Sequence, residues 1–240
     1  MFLTPVRDPK TFMPEVTFVG PAGRLEGRFQ EQEDPSAPVA LVLHPHPQFG
    51  GNMNHRIVYE TFYTFQRRGF SVLRFNFRGV GRSQGVFDNG IGELSDAAAA
   101  LDWLQQTKPN SPFCWIAGFS FGAWISMQLL MRRPEIAGFI SIAPQANMYD
   151  FSFLAPCPSS GLLLHGTADR VVPEADVDKL NERRSAQKGI VIDHVKIPGA
   201  NHFFEGKIEE MIGEVDKYLE KRLTPSDDPA FAPRKIKGRR

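Results

Sequence analysis

Cysteine is nearly absent: Cys114 and Cys157 are the only two in 240 residues, and both stand in apolar stretches without a Cys-x-x-Cys or Cys/His ligand spacing. That argues against a disulfide-stapled scaffold or a cysteine-built metal centre and predicts two reduced core thiols. No apolar run approaches membrane-spanning length, and the opening stretch MFLTPVRDPKTFMPEV lacks the charged start and apolar centre of a secretion signal. A soluble cytoplasmic protein with no membrane role is therefore expected. Charge excess is missing too, with 28 Lys and Arg against 27 Asp and Glu, so no nucleic-acid partner is indicated. The one imbalance lies at the end, where residues 224–240 hold five basic and two acidic side chains among three prolines. This is the composition of a mobile, solvated tail.

What is present is a regular alternation of apolar β-rich runs with helical stripes, over a length and a 42% hydrophobic content that suit a single domain across 1–223. EVTFVG (15–20) and GRLEGRF (23–29) alternate apolar and polar residues about a Pro-Ala-Gly turn, which predicts a hairpin. Further strands are predicted at 39–45, 71–77, 113–119, 138–144, 161–166 and 191–198, with helices at 54–69, 92–107, 122–133, 174–187 and from about 208 to 223. Repeated β-α alternation with strands apolar on both faces predicts a mostly parallel sheet of about eight strands with helices on both faces. Ligands in such sheets gather beyond the carboxyl ends of the strands.

Ser120 falls at such an end, in AGFSFGAW (117–124), between a strand and an apolar helix. A serine between glycines is ordinarily a turn residue. The strand-turn-helix setting instead fits a nucleophile elbow, in which Gly118 and Gly122 remove side chains that would collide and the Phe121 N–H points at a developing oxyanion. A serine hydroxyl needs a base, and the base needs an orienting carboxylate. Asp169 follows the strand LLLHG, and His202 follows the last strand. Singly, Asp169 reads as a helix cap and His202 as a loop histidine. Together, in the order Ser120, Asp169, His202 at three strand ends, they read as a catalytic triad. The second oxyanion donor is expected in HPHPQFGGNMNH (44–55), where Pro45 and Pro47 have no N–H, leaving the His46 backbone with Gln48 and Phe49 in reserve. His44, His46 and His55 lack the carboxylates and spacing of a zinc site, so neither metal nor cofactor is expected. FRGVGRSQG (77–85) lacks the Lys-Ser/Thr ending of a phosphate loop, and Arg78 and Ser83 read as structural.

Taken together, HPHPQFGGNMNH, LRFNFRGVGRSQG (73–85), AGFSFGA (117–123), LLLHGTADRVVP (162–173) and PGANHFF (198–204) resemble an α/β-hydrolase, and within that superfamily the small capless bacterial hydrolases related to dienelactone hydrolases. The resemblance spans about residues 15–223 and implies hydrolase chemistry at Ser120 with Asp169 and His202. Dienelactone hydrolases proper use a cysteine nucleophile, so lactone specificity does not carry over. Only 145–160 is available for a lid, too short for a cap domain. The expected site is open, with Phe49, Met53, Phe119, Met148 and Phe203 among its candidate walls, and its expected partner is a small ester or thioester. A peptidase or amidase with the same triad, and a non-catalytic binding protein on the same scaffold, are the alternative readings. Self-association as a homodimer is compatible with the sequence.

Overall fold

The computed structural model describes residues 14–154, 156–182 and 189–224. The basic tail beyond Thr224, and the stretch of the predicted 174–187 helix past Glu182, lie outside the described residues. The chain opens with the hairpin β1 (Glu15–Gly20) and β2 (Gly23–Gln30), then runs β3 (Val39–Leu43), α1 (Arg56–Arg67), β4 (Ser71–Phe75), α2 (Ile91–Thr107), β5 (Cys114–Phe119) and α3 (Phe121–Arg132). It continues through β6 (Ile136–Ile142), β7 (Gly161–Gly166), α4 (Glu174–Glu182), β8 (Ile192–Ile197) and α5 (Ile208–Leu223). The strands form one sheet in the order β1-β2-β4-β3-β5-β6-β7-β8. Pairing is antiparallel from β1 through β2 to β4 and parallel from β4 to β8.

Alternation along the strands builds two apolar layers. Leu41, Leu43, Leu73, Phe75 and Ile116 pack on one face with residues of α2 and α3, including Leu101 and Leu129. Ala40, Val42, Val72, Trp115 and Ala117 pack on the other with α1 and α5, including Phe62, Met211 and Val215. Cys114 and Cys157 are buried within the first layer. Between β6 and β7 the described residues hold only a short 3-10 turn, Ser152–Leu154, so they add no cap domain.

Element ends differ from the sequence expectation where side chains intervene. β3 stops at Leu43 rather than at Pro45, because the His44 ring takes the Phe77 N–H at 3.0 Å and Pro45 has no N–H to continue a ladder. β4 stops at Phe75, and the Asn76 side chain turns to other partners. β6 runs from Ile136 to Ile142 and ends where Ala143 adopts a φ of 44°.

The position of β3 matters most for the site. From β3 the chain moves to β4 on one side, then returns to β5 on the other. The connections leaving β3 and β5 therefore diverge at their carboxyl ends, opening the crevice in which such sheets hold ligands.

Candidate active site

Ser120 sits in that crevice, between β5 and the first residue of α3, with φ 57° and ψ −116°. A non-glycine residue held there is strained by about 1–3 kcal/mol. Its neighbours Phe119 and Phe121 are fully buried, and each such side chain contributes about 1.5–3 kcal/mol. Flanking burial is thus large enough to hold the strained turn. The serine N–H donates to the Ile142 carbonyl at 2.9 Å, and its carbonyl accepts from Ala123 at 3.0 Å. Close packing makes both glycines necessary. A Cβ on Gly118 would lie 2.2 Å from the Gly122 oxygen, and one on Gly122 would lie 2.5 Å from the carbonyl oxygens of Leu43 and His44.

The three sequence-predicted residues come together in one hydrogen-bonded chain. Ser120 Oγ lies 3.0 Å from His202 Nε2, and His202 Nδ1 lies 2.7 Å from Asp169 Oδ2. An ionised carboxylate can only accept, so Nδ1 carries the proton and Nε2 is left to accept from the serine hydroxyl. Asp169 Oδ1 accepts the Val171 and Val172 N–H groups, both at 2.8 Å. Burial raises the Asp169 pKa, but the hydrogen bonds from His202, Val172 and Val171 outweigh it and hold the carboxyl below its ordinary range.

The backbone N–H that follows the serine in the chain is that of Phe121. Phe121 opens α3, so no helical carbonyl lies one turn behind its N–H. His46 lies between two prolines, its ring 4.9 Å from that of Phe121, and its carbonyl accepts from Phe49 and Gly51 at 3.1 and 3.0 Å.

A family model described as the alpha/beta hydrolase fold matches residues 41–157. An uncharacterized protein of Rickettsia prowazekii is 54% identical over 211 residues, 86% of this chain and 89% of its own length. A solved protein of unknown function from Agrobacterium tumefaciens is 67% identical with a TM-score of 0.86, covering 88% of this chain and 96% of that one. A serine hydrolase without a lid from Xanthomonas campestris is 33% identical with a TM-score of 0.79, covering 91% and 98%. The chain belongs to the α/β-hydrolase family.

In this hydrolase the expected wall residues divide by burial. Phe203 is 46% exposed with its ring 5.2 Å from His202, Phe49 is exposed beside His46, and Met148 is exposed beside Gln145. Phe119 and Met53 are buried, so neither forms an open surface, and Phe119 lies behind His202 with its ring 5.2 Å away. Arg78 donates from its backbone N–H, Nε and Nη2 to the buried carboxylate of Asp96, and Ser83 donates to the Asn76 carbonyl. Both tie loops to the fold.

Sequence reading missed the clamp on the 44–55 loop. Asn76 accepts the Met53 N–H, and Arg74 donates to the Met53 carbonyl and to Asn54 Oδ1. The signal was an arginine in the middle of a strand otherwise made for burial. Also unforeseen is His165, whose Nε2 donates to the Val172 carbonyl at 3.0 Å and so braces the turn carrying Asp169. Among the described residues no helix of the hydrolase is long and apolar enough to cross a membrane.

Proposed function

We propose that this protein is a serine hydrolase that cleaves small carboxylic esters or thioesters through an acyl-enzyme. The observation that carries this reading is the unbroken hydrogen-bond chain from Asp169 through His202 to Ser120. Ser120 Oγ attacks the acyl carbon while its proton passes to His202 Nε2. The N–H groups of Phe121 and His46 receive the oxyanion. His202 then returns the proton to the departing oxygen or sulfur, and Asp169 stabilises the imidazolium and fixes its tautomer. Water enters on the same imidazole and releases the acid. Absence of a cap among the described residues between β6 and β7 favours short acyl chains, which need no enclosed tunnel.

A fluorophosphonate should label Ser120, and Ser120→Ala should abolish labelling and lower kcat by roughly 10⁴–10⁶. p-Nitrophenyl butyrate should exceed the palmitate ester in kcat/KM. A Ser120→Ala protein that keeps a tenth of the wild-type rate would remove the nucleophile assignment. A long-chain optimum would remove the short-ester reading.

A further inference from the structure

Hydrogen bonding fixes the tautomers of the three histidines in the 44–55 loop. His44 donates from Nδ1 to the Pro45 carbonyl at 2.6 Å and accepts the Phe77 N–H at Nε2. His46 and His55 are the reverse. Each caps the start of a helical segment by accepting at Nδ1, from the Gln48 N–H at 3.2 Å and from the Ile57 N–H at 3.4 Å. A ring nitrogen that accepts an N–H carries no proton, so in the neutral ring the proton sits on Nε2. Burial, and the neighbouring His202 after it, hold the His55 pKa below its ordinary value and keep the ring neutral.

The two rings pack against the residues that flank the nucleophile in the chain. His46 packs against Phe121, the residue after Ser120. His55 stacks on Phe119, the residue before it, at 5.0 Å and 29°, and lies 6.1 Å from Phe203. The rings of Phe119 and Phe203 are each 5.2 Å from His202. His55 thus shares its aromatic neighbours with His202, the residue that must hand a proton to the departing group, in ester cleavage the alcohol portion. With Nδ1 turned to α1, the Nε2 edge of this half-buried ring faces away from the helix, and among the described residues no hydrogen bond engages it.

We infer that His55 determines leaving-group specificity: its Nε2–H recognises an oxygen acceptor on the alcohol portion of the ester, while the apolar part of that portion lies against Phe203. This rests on the ester-hydrolase reading above.

The test uses two isosteric pairs of acetate esters, 2-methoxyethyl against n-butyl and 3-methoxypropyl against n-pentyl, with kcat/KM measured for each. In wild type, the ether ester should be the better substrate in at least one pair. His55→Ser and His55→Asn both keep an acceptor for the Ile57 N–H, so α1 retains its cap, and neither extends as far as Nε2. In either variant the ether-to-alkyl ratio of that pair should fall about five- to tenfold, the effect of one lost hydrogen bond. His55→Gln, with a longer amide donor, should recover part of the ratio. Circular dichroism identifies which variants fold, and one folded short variant suffices. A wild-type preference for the alkyl ester in both pairs, or a ratio unmoved by His55→Ser or His55→Asn, overturns the inference and leaves the ester-hydrolase reading standing. If wild type hydrolyses none of the four esters, that reading fails and the inference fails with it.

Discussion

Asp169 divides its two oxygens between two tasks. Oδ1 closes its own turn through Val171 and Val172, and Oδ2 faces His202. An amide at this position can fill the first task but presents either a wrong donor or an uncharged acceptor in the second. Asp169→Asn should lower kcat by up to about 10⁴ with the fold retained. Acids of neighbouring segments are engaged locally, Asp150 with the N–H and hydroxyl of Ser152 and Asp176 with Lys179. Activity within tenfold of wild type would show that Asp169 does not orient the imidazole. A second expectation concerns stability. Because the folded pKa of Asp169 is depressed, its contribution is present above the unfolded carboxylate value of about 3.9 and is lost as pH falls through the lower folded value. Urea denaturation of Asp169→Asn should therefore show a shallower acid decline below about pH 4 than wild type. Equal slopes would contradict the depressed carboxyl.

At the scale of elements, the elbow depends on three segments meeting without side chains between them: the end of β5, the start of α3 and the end of β3. Gly122→Ala would drive a methyl into the Leu43 and His44 carbonyl oxygens, and backbone cannot step aside as a flexible side chain can. Overpacking of this kind costs about 1–3 kcal/mol or more, so Tm should fall by several degrees and ester hydrolysis with it. A variant with wild-type Tm would mean that the two segments separate freely. The strands and helices were legible because their apolar periods are unambiguous, and the elbow was legible because glycine spacing and strand-turn-helix order are local properties. Ser120, Asp169 and His202 could be read because each follows a recognisable strand. The ends of β3 and β4 could not, since they are decided by the His44 and Asn76 side chains acting across loops. The placement of His55 against Phe119 and Phe203 was equally hidden. It joins residues far apart in the chain, and a histidine before an amphipathic stretch signals a helix start without saying what its other edge will meet.

For the molecule as a whole, five histidines have pKa values lowered chiefly by burial: His44, pushed down to about 3, together with His46, His55, His165 and His194. Unfolded, each would take a proton near pH 6.5. The unfolded chain therefore binds more protons below that pH, and the stability present above it is lost as pH falls toward the folded values. Each histidine adds a slope of at most about 1.4 kcal/mol per pH unit. The guanidinium unfolding midpoint should decline steadily from about pH 7 to about pH 4.5, and a flat profile across that range would contradict the buried neutral rings. The layout of the sheet has a different consequence, in time rather than in energy. Ser120 and His202 are 82 residues apart, and the histidine follows β8, the last strand among the described residues, which lies at the sheet's edge. During synthesis the central strands and the strained serine turn emerge well before their base exists. Under the proposed chemistry a nascent chain is inert toward esters until β8 and the His202 turn after it are in place, so hydrolysis waits on the segment that follows the sheet's edge strand.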